Sequence, residues 1–135
     1  MSLDNIFRNI YDYVQNQKLD RASENFNPVG VYSISAHGSF GKIYDKNGKE
    51  IKERGLDNIA NKAKMSGNTV IWLISCYANY NMFWYGSARK RTNAAGYLAE
   101  KSGLPVLATS KYVVFGGAVT EPFILDGSSW DYVLQ

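Results

Sequence analysis

Thr69-Val70-Ile71-Trp72-Leu73-Ile74-Ser75-Cys76 is the stretch that decides the fold. Thr69 to Ser75 is the longest apolar run of the chain, and β-branched side chains fill much of it. It is far short of the ~18 residues a membrane helix needs. It is apolar at odd and even positions alike, so both faces of a strand here must be covered. That is the signature of a central strand in a parallel sheet. The strand ends at Cys76.

Upstream, Leu56, Ile59, Ala60 and Ala63 repeat at helical spacing, and Ser66-Gly67 closes that helix. Val29 to Ala36 is a second strand, ending at His37-Gly38. Between them lie Ser39-Phe40-Gly41, Lys42 to Tyr44, Asn47-Gly48 and Glu50-Ile51. Asn-Gly between short alternating runs predicts a hairpin, and its many charges keep it off the main sheet. Downstream, residues 77–86 form an aromatic loop. Ser87 is the expected cap of a helix from Ala88 to Lys101, closed by Gly103. Leu104 to Ala108 is a third strand, and Lys111 to Phe115 and Phe123 to Leu125 are shorter ones. At the start, Ile6, Ile10, Tyr11, Tyr13 and Val14 give an amphipathic helix from Asp4 to Lys18, and polar residues 19–28 give a loop.

Strands alternating with helices predict an α/β domain with right-handed crossovers. The expected architecture is a three-layer sandwich with a mainly parallel sheet and a small hairpin insertion. It is a single domain over 1–135, with an N-terminal helix and loop at 1–28 and the α/β core at 29–135.

Composition narrows the class. Hydrophobic residues are 45% and charged residues 20%, the balance of a globular chain with a real core. A net charge of +3 is too mild to argue for nucleic acid, which is not an expected partner. One cysteine excludes an internal disulfide. Asp4, Arg8, Asp12, Gln15 and Lys18 break any apolar leader in the first twenty residues. A soluble domain with no membrane span is expected.

In open α/β sheets, ligands bind beyond the carboxyl ends of the parallel strands. His37 and Cys76 each sit just past such an end. Neighbouring strands lie ~4.8 Å apart, so a thiol–imidazole pair is feasible there. An imidazole near a thiol lowers its pKa and shuttles its proton, which makes His37 the base and Cys76 the nucleophile of a catalytic pair. The chain has one histidine and one cysteine, so no other pairing competes. The Gly38 and Cys76 N–H groups are the candidate oxyanion hole. The loop residues Tyr77, Asn79 and Trp84 are the candidate wall of a substrate cleft. A single histidine and cysteine leave too few soft ligands for a metal, and no cofactor is expected. Ile74-Ser75-Cys76-Tyr77-Ala78 lacks the glycines of a nucleophile elbow, and no histidine follows it, which disfavours an α/β-hydrolase.

A hydrophobic strand ending in His-Gly, a spacer, and a hydrophobic strand ending in Cys resembles caspase-like (clan CD) cysteine peptidases. The residues that carry this are Val31-Tyr32-Ser33-Ile34-Ser35-Ala36-His37-Gly38 and Thr69 to Cys76. His37-Gly38-Ser39, Leu73-Ile74-Ser75-Cys76, Ala95, Leu98-Ala99 and Gly103-Leu104-Pro105-Val106 are similar to the compact versions at the ends of bacterial polymorphic (Rhs-type) toxins. The resemblance spans about residues 29–118. It implies a caspase-like fold with His37 as general base and acid, Cys76 as nucleophile and Gly38 in the oxyanion hole. It also implies a protein or peptide substrate, a cognate inhibitor or immunity protein, and delivery into a target cell within a larger secreted protein. The chain is short for that family, and no residue matches a specificity pocket.

Besides a nucleic-acid-directed toxin, whose binding would weaken steeply with salt, two rivals stay open. One is a deamidase or transglutaminase-like toxin on the same pair. The other is a non-catalytic interaction domain using the aromatic loop and Arg89-Lys90-Arg91. That basic run reads best as a solvated helix face. Gly116-Gly117 suits a turn near the same rim, and Glu121, Asp126 and Asp131 are candidates to select a basic substrate side chain.

Overall fold

A computed structural model describes residues 23–27, 31–45, 47–81, 84–87, 91–114, 123–124 and 130–134. The expected first helix lies outside these residues, as do Arg89, Lys90, Gly116-Gly117, Glu121 and Asp126.

In chain order the elements are β1 (Ser23–Asn27), β2 (Val31–Ser35), β3 (His37–Ser39), β4 (Lys42–Tyr44), α1 (Glu53–Met65), β5 (Val70–Ile74), α2 (Ala94–Ser102), β6 (Val106–Ala108), β7 (Val113–Val114), β8 (Phe123–Ile124) and β9 (Asp131–Val133). The main sheet runs β1-β2-β5-β6-β9. Its centre, β2-β5-β6, is parallel, and the two outer pairings are antiparallel. β5 occupies the middle, as its two-sided apolarity requires. Every residue from Val70 to Ile74 is at most 1% exposed. β3–β4 and β7–β8 form separate two-stranded sheets.

Strand alternation sorts the core into two clusters. Tyr32, Ile34, Ile71, Leu73 and Val106 pack against Leu56, Ile59, Ala60 and Ala63 of α1 and Ala95, Leu98 and Ala99 of α2. Val31, Val70, Trp72, Ile74 and Leu107 line the other face with Val113, and Trp130 and Cys76 lean on them. Trp72 meets Trp130 edge to face at 5.4 Å between ring centroids.

Among the described residues both helices pack on one face of a mixed, centrally parallel sheet. The strand order β2-β5-β6 always steps the same way, so two right-handed crossovers leave both helices on one face. Helices on both faces require the winding to reverse.

Three local expectations change. Residues 23–27, expected as loop, form the edge strand β1. An edge strand is held by backbone pairing to its neighbour and needs no apolar period of its own. β9 was equally invisible in the sequence, and it pairs with β6 at the opposite edge. The second helix begins at Ala94 rather than Ala88. Its cap is Asn93, whose side chain accepts from the Gly96 N–H, while Tyr85 and Thr92 exchange backbone hydrogen bonds ahead of it. That bridge keeps Thr92 extended until Asn93 can start the helix.

Candidate functional site

β2 and β5 run parallel in the register Ser33↔Trp72 and Ser35↔Ile74. The Ala36 N–H extends the ladder to the Ile74 carbonyl at 3.1 Å. The paired strands end there, and His37 and Cys76 each follow two residues later. Cys76 packs against the cluster of Trp72 and Ile74, whereas His37 opens β3 of the separate hairpin sheet. Gly38 lies against the Cys76 backbone. A Cβ on Gly38 would stand 2.1 Å from the Cys76 carbonyl oxygen and 2.2 Å from the Ser75 Oγ. Only glycine fits this approach, so the His-Gly turn and the cysteine strand end are packed as one unit.

His37 is exposed and Cys76 is half-buried. Among the described residues, the hydrogen bonds of the thiol run to Val113. The Val113 N–H donates to Sγ at 3.3 Å, and the thiol donates to the Val113 carbonyl at 3.5 Å. Burial pushes the Cys76 thiol up from its ordinary pKa, and the Val113 hydrogen bond opposes this only in part. The resting form is therefore the neutral thiol. Beside it, the Ser75 hydroxyl is buried and has no hydrogen-bond partner among the described residues.

Gly38 belongs to the β3–β4 hairpin, whose two central residues are Phe40 (φ 47°) and Gly41 (φ 90°). Positive φ at both defines a type I′ turn. In that turn the Ser39–Lys42 and His37–Tyr44 pairs carry the cross-strand bonds, which leaves the Gly38 N–H outside the ladder. The hairpin tip is docked from both sides. The Gly41 N–H donates to the Tyr77 carbonyl at 2.7 Å, and the Ala94 N–H donates to the Gly41 carbonyl at 2.8 Å.

The loop residues expected to wall a cleft divide. The polar atoms of Asn79 hold structure. Its Nδ2 donates to Asp131 Oδ2 at 3.0 Å, its Oδ1 accepts from Asn93 Nδ2 at 3.2 Å, and its backbone N–H donates to the Thr109 carbonyl. The Trp84 indole N–H donates to the Phe40 carbonyl, and Lys42 Nζ lies 3.9 Å from the Trp84 ring centroid. Lys42 is also paired with Glu50 at 3.0 Å.

Tyr77 sits at φ 55°, a conformation that costs a bulky residue ~1–2 kcal/mol. Its ring stacks on Phe40 at 5.5 Å and meets Tyr80 and Tyr112 edge on, each at 6.2 Å. Phe40 and Tyr112 were missed in the sequence. They lie far from the aromatic loop in the chain, and lone aromatics read as ordinary core or surface residues. The one available signal was Phe-Gly in place of Asn-Gly at a hairpin tip.

A cavity of about 470 Å³ lies elsewhere, lined by Glu53, Gly86, Ser87, Tyr97, Glu100 and Lys101, with neither His37 nor Cys76 in its walls. Among the described residues no three His, Cys, Asp or Glu side chains are grouped to hold a metal ion, and no helix is long and apolar enough to cross a membrane.

Fold and site together define a mixed α/β domain with a thiol and an imidazole at the carboxyl ends of neighbouring parallel strands. The chain belongs to the family described as Domain of unknown function (DUF8616), whose model matches residues 5–128. No curated protein and no solved structure matches it.

Proposed function

We propose that the domain is a thiol-dependent hydrolase of peptide or amide bonds, with Cys76 as nucleophile and His37 as general base. The observation that supports this is that His37 and Cys76 each follow, two residues on, the carboxyl ends of neighbouring parallel strands paired through Ser35 and Ile74. Because burial keeps the thiol neutral, the imidazole acts during attack rather than through a standing ion pair. The sulfur bonds to the substrate carbonyl carbon as its proton passes to His37. The tetrahedral intermediate then expels the amine, which takes that proton from His37. Water attacks the resulting thioester, regenerating the thiol. The Gly38 N–H, outside the hairpin ladder, is the candidate donor to the oxyanion, together with the Cys76 N–H. The resemblance to clan CD peptidases of bacterial toxin termini supports the same reading. It adds a caspase-like topology, a protein target and an inhibitory partner as parts of the proposal.

The test is product analysis. The full chain, Cys76→Ala and His37→Ala are each incubated with a complex peptide mixture and assayed by mass spectrometry and for ammonia. New peptide termini that require both residues support hydrolysis of the chain. Ammonia release without new termini selects the deamidase. Neither product, with the biological effect intact in Cys76→Ala, selects an interaction domain. The Val113–Cys76 hydrogen bonds favour that last alternative, since they engage the thiol with the protein's own backbone.

A further inference from the structure

Seven large hydrophobic residues are exposed among those described, and four of them, Phe40, Tyr80, Trp84 and Tyr112, gather beside the turn that follows Cys76. Three separate chain segments deliver these rings: the β3–β4 hairpin tip, the turn after β5, and the segment before β7. Phe40 is 52% exposed and Tyr112 49% exposed, so burial does not explain the cluster.

The backbone argues that the rings have a use beyond folding. A type I′ turn favours Asn at the position Phe40 holds, and a bulky residue there is strained. Tyr77 carries the same strain one residue after Cys76. The two strained residues stack on each other with their ring planes 23° apart. Tyr80 stands edge on to both, at 77° to Phe40 and 81° to Tyr77. Sites that hold bulky residues at positive φ concentrate where ligands are gripped.

We propose that Phe40, Tyr77, Tyr80 and Tyr112 form a recognition surface for an aromatic side chain of a peptide. Resting on the hydrolase reading, that peptide is the substrate segment presented to Cys76. The chemistry suits a neutral flat ring. Lys42 is already paired with Glu50 and lies over Trp84, and Asp131 of β9 accepts from Asn79 of the loop that follows Cys76. Another ring can add to such a cluster by stacking or edge contact. The carboxylate of Asp131 and the mild net charge of +3 speak against a phosphate backbone running across it.

Binding is measured on the Cys76→Ala full chain by NMR, with short peptides differing only in Phe, Ala, Asp or Lys at one central position. The Phe peptide is expected to bind about tenfold more tightly than the others and to shift the resonances of Phe40, Tyr77, Tyr80 and Tyr112. Adding Phe40→Asn and Tyr112→Ser should remove that preference in a protein whose spectrum stays dispersed. Equal affinity for all four peptides, shifts confined to another surface, or tighter salt-sensitive binding of a single-stranded oligonucleotide each overturns the proposal. Selective Phe binding with no Cys76-dependent cleavage in the wild-type chain upholds the surface and overturns only the hydrolase reading.

Discussion

The thiol of Cys76 is bonded in both directions to the backbone of Val113, accepting from its N–H at 3.3 Å and donating to its carbonyl at 3.5 Å. Burial makes this thiol ionise late, and the Val113 hydrogen bond opposes that only in part. Alkylation of the folded chain should titrate above the ~8.5 of a free cysteine. The sign for stability follows from the raised folded-state pKa. The neutral thiol is favoured in the fold, so its contribution is fully present below about pH 8.5 and is lost as pH rises through the folded value. Iodoacetamide rates against pH, with urea midpoints at pH 7 and pH 10, measure both. A rate profile centred below pH 8 contradicts the late ionisation.

Ser75 offers a contrast with its neighbour. Its hydroxyl is buried without a partner among the described residues. An orphaned buried hydroxyl is unfavourable by ~1–3 kcal/mol, which exceeds the packing lost with one oxygen. Ser75→Ala should therefore leave stability unchanged or raise it by up to about 1 kcal/mol in urea denaturation. A loss of more than about 1 kcal/mol would mean that the hydroxyl is bonded in solution.

Asn93 does two things at once. Its Oδ1 caps α2 through the Gly96 N–H at 2.9 Å, and its Nδ2 donates to Asn79 Oδ1 and to the Tyr80 carbonyl. Asn93→Ala loses a cap of ~1 kcal/mol and strands two acceptors, so a total near 2–3 kcal/mol is expected. Asn93→Asp keeps the cap but turns a donor into a second acceptor facing those oxygens. It should still lose about 1–2 kcal/mol, whereas an ordinary cap position would tolerate the exchange. Thermal melts of both variants separate the two roles.

The hairpin tip divides between its two residues. Gly41 has φ 90°, and a Cβ there would stand 3.0 Å from Trp84 Cδ1 and 3.1 Å from Asn93 Cβ. Gly41→Ala adds backbone strain to crowding and should destabilise by about 2–3 kcal/mol. Phe40→Asn relieves ~1 kcal/mol of strain and gives up ring contacts of ~0.5–1.5 kcal/mol. Its net effect should stay within about 1 kcal/mol, a near-neutral change in melting temperature. A large loss would make the Phe40 ring a folding element rather than a binding one.

The sequence by itself determined the centre of this protein. Within Thr69 to Ser75, Val70 to Ile74 is apolar at every position that a strand turns to either face, so it had to lie mid-sheet, and the structure has it there. Val31–Ser35, Glu53–Met65 and Val106–Ala108 were legible for the same reason, because burial imposes a period on side chains. The strand-end positions of His37 and Cys76 followed from those strands. Only the tertiary structure decided what meets them. The edge strands Ser23–Asn27 and Asp131–Val133 are held by backbone bonds, which leave no apolar period to read. The true start of α2 depends on the Tyr85–Thr92 bridge, a contact between segments. The Val113 hydrogen bonds to the thiol and the meeting of Phe40, Tyr77 and Tyr112 join residues dozens of positions apart. Local pattern records which side chains are buried, and only the folded chain decides which of the exposed ones become neighbours.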